Sequence, residues 1–143
     1  MASYLKRGHI LVPVLQLCAL LLAGCASVES SLERRLELFE QTTFRFENAI
    51  RWGHYELANE FIKSQENDQT TPDFSKLQNF RVSSYELLKS SIAPDELQAW
   101  QTVEIKYYNV NTLVEKTLVY EQQWTYDTLE KRWYLNGGFP LLK

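Results

Sequence analysis

At residue 80 the apolar residues of this chain change their spacing, and that change constrains the fold more than any other feature. Before it, Leu32, Leu36, Phe39, Thr43, Phe46 and Ile50 recur at three and four residues. That spacing puts side chains on one stripe of a helix. After it, Val103, Ile105 and Tyr107 alternate, as do Leu118, Tyr120, Gln122, Trp124 and Tyr126. Alternation places each set on one face of a strand. Helices first and strands later predict an α+β domain with the helices on one face of the sheet.

The local signals sharpen this outline. Ser30 and Glu33 have the spacing of a capping box, so a first helix is expected over 31–52, with Gly53 just past its end. A second helix is expected over 54–65, carrying Leu57, Ala58, Phe61 and Ile62 inward. Residues 64–79 are polar, and Thr71-Pro72-Asp73 predicts a short third helix over 72–78. Strands are expected at 80–91, 98–109, 113–127 and 131–137. Asn109–Thr112 and Asp127–Glu130 serve as turns, because Asn and Asp tolerate turn geometry. Consecutive strands with short turns make an antiparallel meander. Gly137-Gly138 marks a bulge or turn after the last of them.

The first 24 residues read differently. Lys6, Arg7 and His9 form a basic start, and residues 10–22 form an apolar stretch interrupted by Pro13 and Gln16. It falls short of the roughly 20 apolar residues a spanning helix needs. A basic start, a short apolar core and small residues at the end are the marks of a secretory signal. The ending Leu22-Ala23-Gly24-Cys25 resembles the lipobox of bacterial lipoproteins. The resemblance implies cleavage before Cys25 and a diacylglyceryl group on its thiol, whose thiolate is a good nucleophile. It also implies an acylated amino terminus. Two or three chains anchor stably where one does not. Ala26 and Ser27, with no Asp after the cysteine, imply the periplasmic face of the outer membrane in a Gram-negative cell. The expected organisation is a signal peptide at 1–24, a lipid-anchored cysteine and short tether at 25–30, and a single α+β domain at 31–143. Five extended residues reach at most roughly 18 Å, so the domain is expected close to its membrane.

Charge and cysteine counts exclude several classes. The processed chain keeps 119 of 143 residues, with 13 basic and 18 acidic side chains, a net charge of −5. Nucleic-acid binding calls for a basic face and is not expected. Cys18 leaves with the signal and Cys25 carries lipid, so the domain has no disulfide and no cysteine metal site. Its one histidine, His54, does not make a multi-histidine zinc site. No cofactor or metal is expected.

The spacing Ala49-Ile50-x-x-Gly53-x-Tyr55-x-x-Ala58-x-x-Phe61 resembles a recurrent segment of the nuclear-transport-factor-2-like superfamily, also called cystatin-like. Arg132-Trp133-Tyr134-Leu135 looks like the closing strand of such domains. The resemblance implies an N-terminal helical hairpin packed on a curved four-stranded antiparallel sheet, cone-like, with a pocket at the open end. This chain departs from the pattern at His54, where an acidic cap is usual. The scaffold hosts isomerases, dehydratases, binding modules and structural parts, so it does not decide function.

No catalytic motif is visible. There is no G-x-S-x-G, H-E-x-x-H, phosphate loop or dinucleotide fingerprint. His54 is expected in an interhelix turn. Glu104 and Lys106 are expected to pair on the solvent side, and Glu86 and Glu121 sit on strands whose faces the pattern leaves open. Aromatics are the densest feature: four Trp, seven Phe and seven of the eight Tyr lie in the processed chain. Trp100, Tyr108, Trp124, Tyr126, Trp133 and Tyr134 are candidates for an interface or a pocket lining, because Tyr and Trp join an apolar body to a polar handle. The alternative is a small core filled with large side chains. The apolar tail Phe139-Pro140-Leu141-Leu142 is exposed unless it packs back. The expected function is a non-enzymatic lipoprotein that binds an envelope protein, with a homodimer also open. The alternatives are a small apolar ligand binder, or an isomerase- or dehydratase-like enzyme using the cone pocket.

Overall fold

A computed structural model describes the backbone of residues 11–63 and 72–143, and the side chains of 31–63 and 72–143. The chain divides into two compact units, Met1–Arg35 and Leu36–Lys143. Helix α1 runs over Leu11–Arg51 without a break at residue 31. Ser30 therefore does not start a helix. The apolar run before it is rich in Leu and Ala, which propagate helix well, and Pro13 falls in the first turn, where it is tolerated.

In the second unit, α1 ends where expected and for the expected reason. Gly53 takes a φ of +72°. The His54 amide donates to the Ala49 carbonyl at 2.8 Å and the Gly53 amide to that of Ile50 at 3.2 Å. This is the paired bonding of a glycine-terminated helix. Helix α2 then covers only Tyr55–Asn59. The second helix expected over 54–65 is cut short at Asn59, because the chain after it becomes a strand, β1 (Ile62–Lys63); residues 64 and 65 lie outside the described residues. Helix α3 is Phe74–Leu77, capped by Asp73, whose carboxylate accepts from the Ser75 and Lys76 amides. The cap is thus Asp73.

Four longer strands follow: β2 (Phe80–Ile92), β3 (Gln98–Asn109), β4 (Glu115–Asp127) and β5 (Arg132–Asn136). All four lie within two residues of where the alternation puts them. Each pairs antiparallel with the next. Asn109 and Asp127 form the two expected turns through their own carbonyl and carboxylate oxygens, which accept from amides two residues on.

The expected architecture needs correction. The sheet has five strands in the order β1-β5-β4-β3-β2, and β1 pairs parallel to β5, with Ile62 opposite Leu135. It is mixed and open, ending on β1 at one side and β2 at the other. It is not the curved four-stranded antiparallel cone, nor does it match the nuclear-transport-factor-2-like or cystatin-like description. The physical cause lies at residues 61–63. The Leu135 amide donates to the Phe61 carbonyl at 2.8 Å, so the backbone that helix two would have used internally is spent on β5. The motif residues Ala49, Ile50, Tyr55, Ala58 and Phe61 are all buried. They are helix-packing residues and carry no further architecture.

The core lies between the sheet and the second half of α1. Phe39 and Phe46 meet Trp124 with ring centroids 6.3 and 5.6 Å apart, both edge-on, and Phe39 lies 4.9 Å from Trp133. Edge-on packing sets the positive ring edge on the negative face. Val103, Ile105 and Tyr107 of β3 complete this inner face, as their alternation predicts.

Candidate functional site

The six aromatic candidates do not form one surface. Trp124 and Trp133 have no exposed area and belong to the core. Their strand neighbours point outward, so alternation explains both placements. Trp124 is also held by polarity. Its indole Nε1 donates to Gln122 Oε1 at 3.1 Å, and Gln122 Nε2 donates to the Tyr85 hydroxyl at 2.7 Å. Burial pushes the Tyr85 and Tyr120 hydroxyls well above the usual tyrosine value. Both stay neutral and act as hydrogen-bonding groups. Tyr126 is half-buried against Trp133, with centroids 5.4 Å apart.

The other three lie on the outer face. Trp100 is 42% exposed, opposite Ser91 on β2 and Gln123 on β4. Tyr108 lies at the far end of the same strand, opposite Arg81 and Glu115. The eight-residue separation along a strand is roughly 27 Å. Tyr134 on β5 sits opposite Thr125. Register thus parts Tyr108 from the other two, and sets Tyr134 in line with Gln98, two residues before Trp100 and two strands away.

Tyr134 is the centre of a polar cluster instead. Lys63 Nζ lies 5.3 Å from its ring centroid and the Arg132 guanidinium carbon 4.8 Å away. Both are within cation–π range. Its hydroxyl donates to Glu130, and that bond raises its pKa. Lys63 also pairs with Asp127 at 3.1 Å. Amide donation from Glu130 and then the Lys63 ammonium hold the Asp127 carboxyl below its usual value. The bond to Asp127 in turn raises Lys63. A shallow cavity of about 270 Å³ opens here, lined by Lys63, Tyr126, Leu129 and Tyr134 among others. Its charged side chains are paired or exposed, and it forms a polar cluster on the surface.

The titratable candidates stay scattered. His54 is exposed at the head of α2 and makes no side-chain cap. Glu104 and Lys106 pair at 3.6 Å on the outer face, while Glu86 and Glu121 are exposed. Among the described residues, no three His, Cys, Asp or Glu side chains come together as metal ligands would. Leu22, Ala23, Gly24 and Cys25 fall inside α1, but their side chains lie outside the described residues. Among the described residues no helix is long and apolar enough to cross a membrane.

No protein-family model matches the chain. No curated protein matches it either. Among solved structures, it is similar to the solution structure of a SEC-C motif containing protein from Rhodopseudomonas palustris. The two share 13% identity over 66% of this chain and 72% of the other, with a TM-score of 0.48. Likeness at that level carries no functional argument.

One feature escaped the sequence reading, the free side of β2. This strand of 13 residues ends the sheet order, so among the described residues it pairs only through β3. Leu87 and Leu88 on it are each 52% exposed, and Ile92 is also exposed. Register shifts between Val82 and Ser84 and between Leu87 and Lys89 interrupt it. Its apolar residues are visible in the sequence, but nothing local tells an edge strand from a central one. The tail, whose burial the sequence left open, packs back: Phe139, Pro140 and Leu142 are buried and Leu141 is exposed.

Proposed function

We propose that this protein is a lipid-anchored interaction module of the cell envelope, non-enzymatic, that engages a protein partner through the free edge of β2. The observation that carries the reading is the edge itself. A long outer strand presents unpaired amides and carbonyls, which a partner's extended segment can take up as an added strand. The exposed Leu87, Leu88 and Ile92 beside it supply apolar contact. The tether is read from Leu22-Ala23-Gly24-Cys25, and it would raise the effective concentration of neighbours at one membrane surface. The two interruptions in β2 leave short regular stretches on either side, which favours a brief pairing over runaway edge-to-edge association.

The test has two arms. Metabolic labelling with palmitate should mark the protein and lose the mark in Cys25→Ser; persistent labelling of that variant would remove the anchor from this reading. Cross-linking in intact cells followed by mass spectrometry should recover one partner in fixed ratio. Leu88→Lys should abolish that recovery while leaving the fold intact. Unchanged recovery with Leu88→Lys would move the interface off β2.

A further inference from the structure

Strand register builds a hollow on the outer face of the sheet, opposite the face on which α1 packs. There Trp100 of β3 stands between Ser91 of β2 and Gln123 of β4, and Thr102 stands between Lys89 and Glu121. Residues two apart share a face, so these six side chains form two adjacent rows across three strands. The rows are uneven in height. Trp100 is the largest of the six, while Ser91 and Thr102 beside it are small. Small residues next to a large ring leave a depression, and Lys89 and Glu121 wall it at the two ends of the second row. The cavity measures about 290 Å³ and is lined by Lys89, Ser91, Trp100, Thr102 and Glu121 among others.

The chemistry of this lining selects its occupant. The exposed Trp100 ring offers one apolar face, and the other four side chains are polar. Lys89 and Glu121 are both exposed, and among the described residues neither forms an ion pair. Their charges cancel, so the hollow carries no net charge. A phosphate or an acidic peptide calls for a surplus of cations that it does not have. A wholly apolar ligand would cover the ammonium and the carboxylate without bonding either. The occupant must therefore show an apolar face to the indole while its edge both donates and accepts. Lys89 only donates, Glu121 only accepts, and Ser91 and Thr102 do both. A pyranose ring is built that way. Its axial C–H bonds make an apolar face of slight positive charge, which meets the negative face of an aromatic ring. Its hydroxyls each donate and accept. The volume lies at the small end of ligand sites, which span about 300–1,000 Å³, and suits one or two sugar rings.

We propose that the hollow at Trp100 is a binding site for a neutral saccharide. Trp100 is the platform under the sugar ring, Glu121 accepts from its hydroxyls, and Lys89 donates to one of them. The site uses outer-face side chains, whereas the free side of β2 offers its backbone, so the proposal stands whether or not β2 pairs with a partner.

The experiment uses the full chain in a detergent without a sugar headgroup. The probes are maltose, cellobiose and diacetylchitobiose, each at up to about 10 mM. In proton–nitrogen correlation spectra at least one probe should shift the Trp100 indole signal and leave those of the buried Trp124 and Trp133 in place. Trp100→Ala should weaken binding of that probe about tenfold, and Trp100→Phe by less, because a smaller ring still stacks. Glu121→Gln should weaken it about threefold or more, since a charged acceptor bonds more strongly than a neutral one. Leu88→Lys, which tests the β2 edge, should leave it unchanged. Failure of all three probes to bind would overturn the proposal, as would binding indifferent to either Trp100→Ala or Glu121→Gln. Should Trp100→Ala fail to fold, Glu121→Gln and the indole shift of the unaltered chain decide. Displacement of the probe by inorganic phosphate at a lower concentration than the probe itself would make the site an anion site and would also overturn the proposal.

Discussion

The two sides of the sheet are written in the same alternating code but meet different neighbours. At β4 and β5 the inward residues Trp124, Trp133 and Leu135 are fully buried, because Phe39 and Phe46 of α1 stand over them. At the β2 side, Leu87 shares a face with Val103, its register partner, yet stays half-exposed. Alternation decides which way a side chain points; it does not decide whether anything lies above it. The same residue types are core on one side and surface on the other.

That contrast can be broken most strongly at its buried end. Trp124→Ala removes the ring between Phe39 and Phe46 and should cost about 3–5 kcal/mol of stability, read as a lowered urea midpoint; a loss under 1 kcal/mol would show that the two sides of the sheet are equally loose. Gln122→Ala comes next. It strands the Trp124 indole N–H and the Tyr85 hydroxyl without their partner. The expected cost is about 1–3 kcal/mol, measured the same way. Gly53→Ala forces a side chain to a φ of +72° and should cost about 1 kcal/mol. Here the sharper readout is faster amide exchange at Gly53 and His54, whose bonds close α1.

At the exposed side the effects on stability should be small. Trp100→Ala and Leu88→Lys should each shift stability by no more than about 0.5 kcal/mol, so a large shift in either would mean that the β2 side is packed after all. The Lys63–Asp127 pair gives the smallest effect, visible only through pH. Because folding lowers the Asp127 pKa, its contribution is present above the usual carboxylate value of 3.8 and lost as pH falls through the folded value. Lys63 has the opposite sign: its raised value holds the contribution until pH climbs through it. The melting temperatures of the native chain and Asp127→Asn should therefore differ near neutrality and converge in acid.

Much of the local structure was legible in the sequence. The end of α1 follows from Gly53, the strand faces from Val103-x-Ile105-x-Tyr107, and two turns from Asn109 and Asp127, since each depends on residues close in the chain. What misled was the segment Phe61-Ile62-Lys63. Its apolar residues continue a helical stripe, but they also fit a strand, and the choice is made by Leu135 more than seventy residues away. The aromatic candidates divide by a different logic. Trp100 and Trp124 are the same residue type, and alternation parts them: Trp124 faces inward opposite Ala99, and Trp100, one residue on from Ala99 and out of phase with Val103, Ile105 and Tyr107, faces outward.

By itself, then, the sequence determined what short-range chemistry can determine. It set helix and strand periods, a glycine stop, turn residues, the absence of cysteine chemistry in residues 26–143, and a candidate lipid attachment at Cys25. The tertiary structure decided what depends on distant partners: the parallel pairing of β1 with β5, the open sheet in place of a cone, the free side of β2, and the folding back of Phe139 and Leu142. Local signals reach only a few residues along the chain. Burial and strand pairing are set by whichever surface arrives from elsewhere in it.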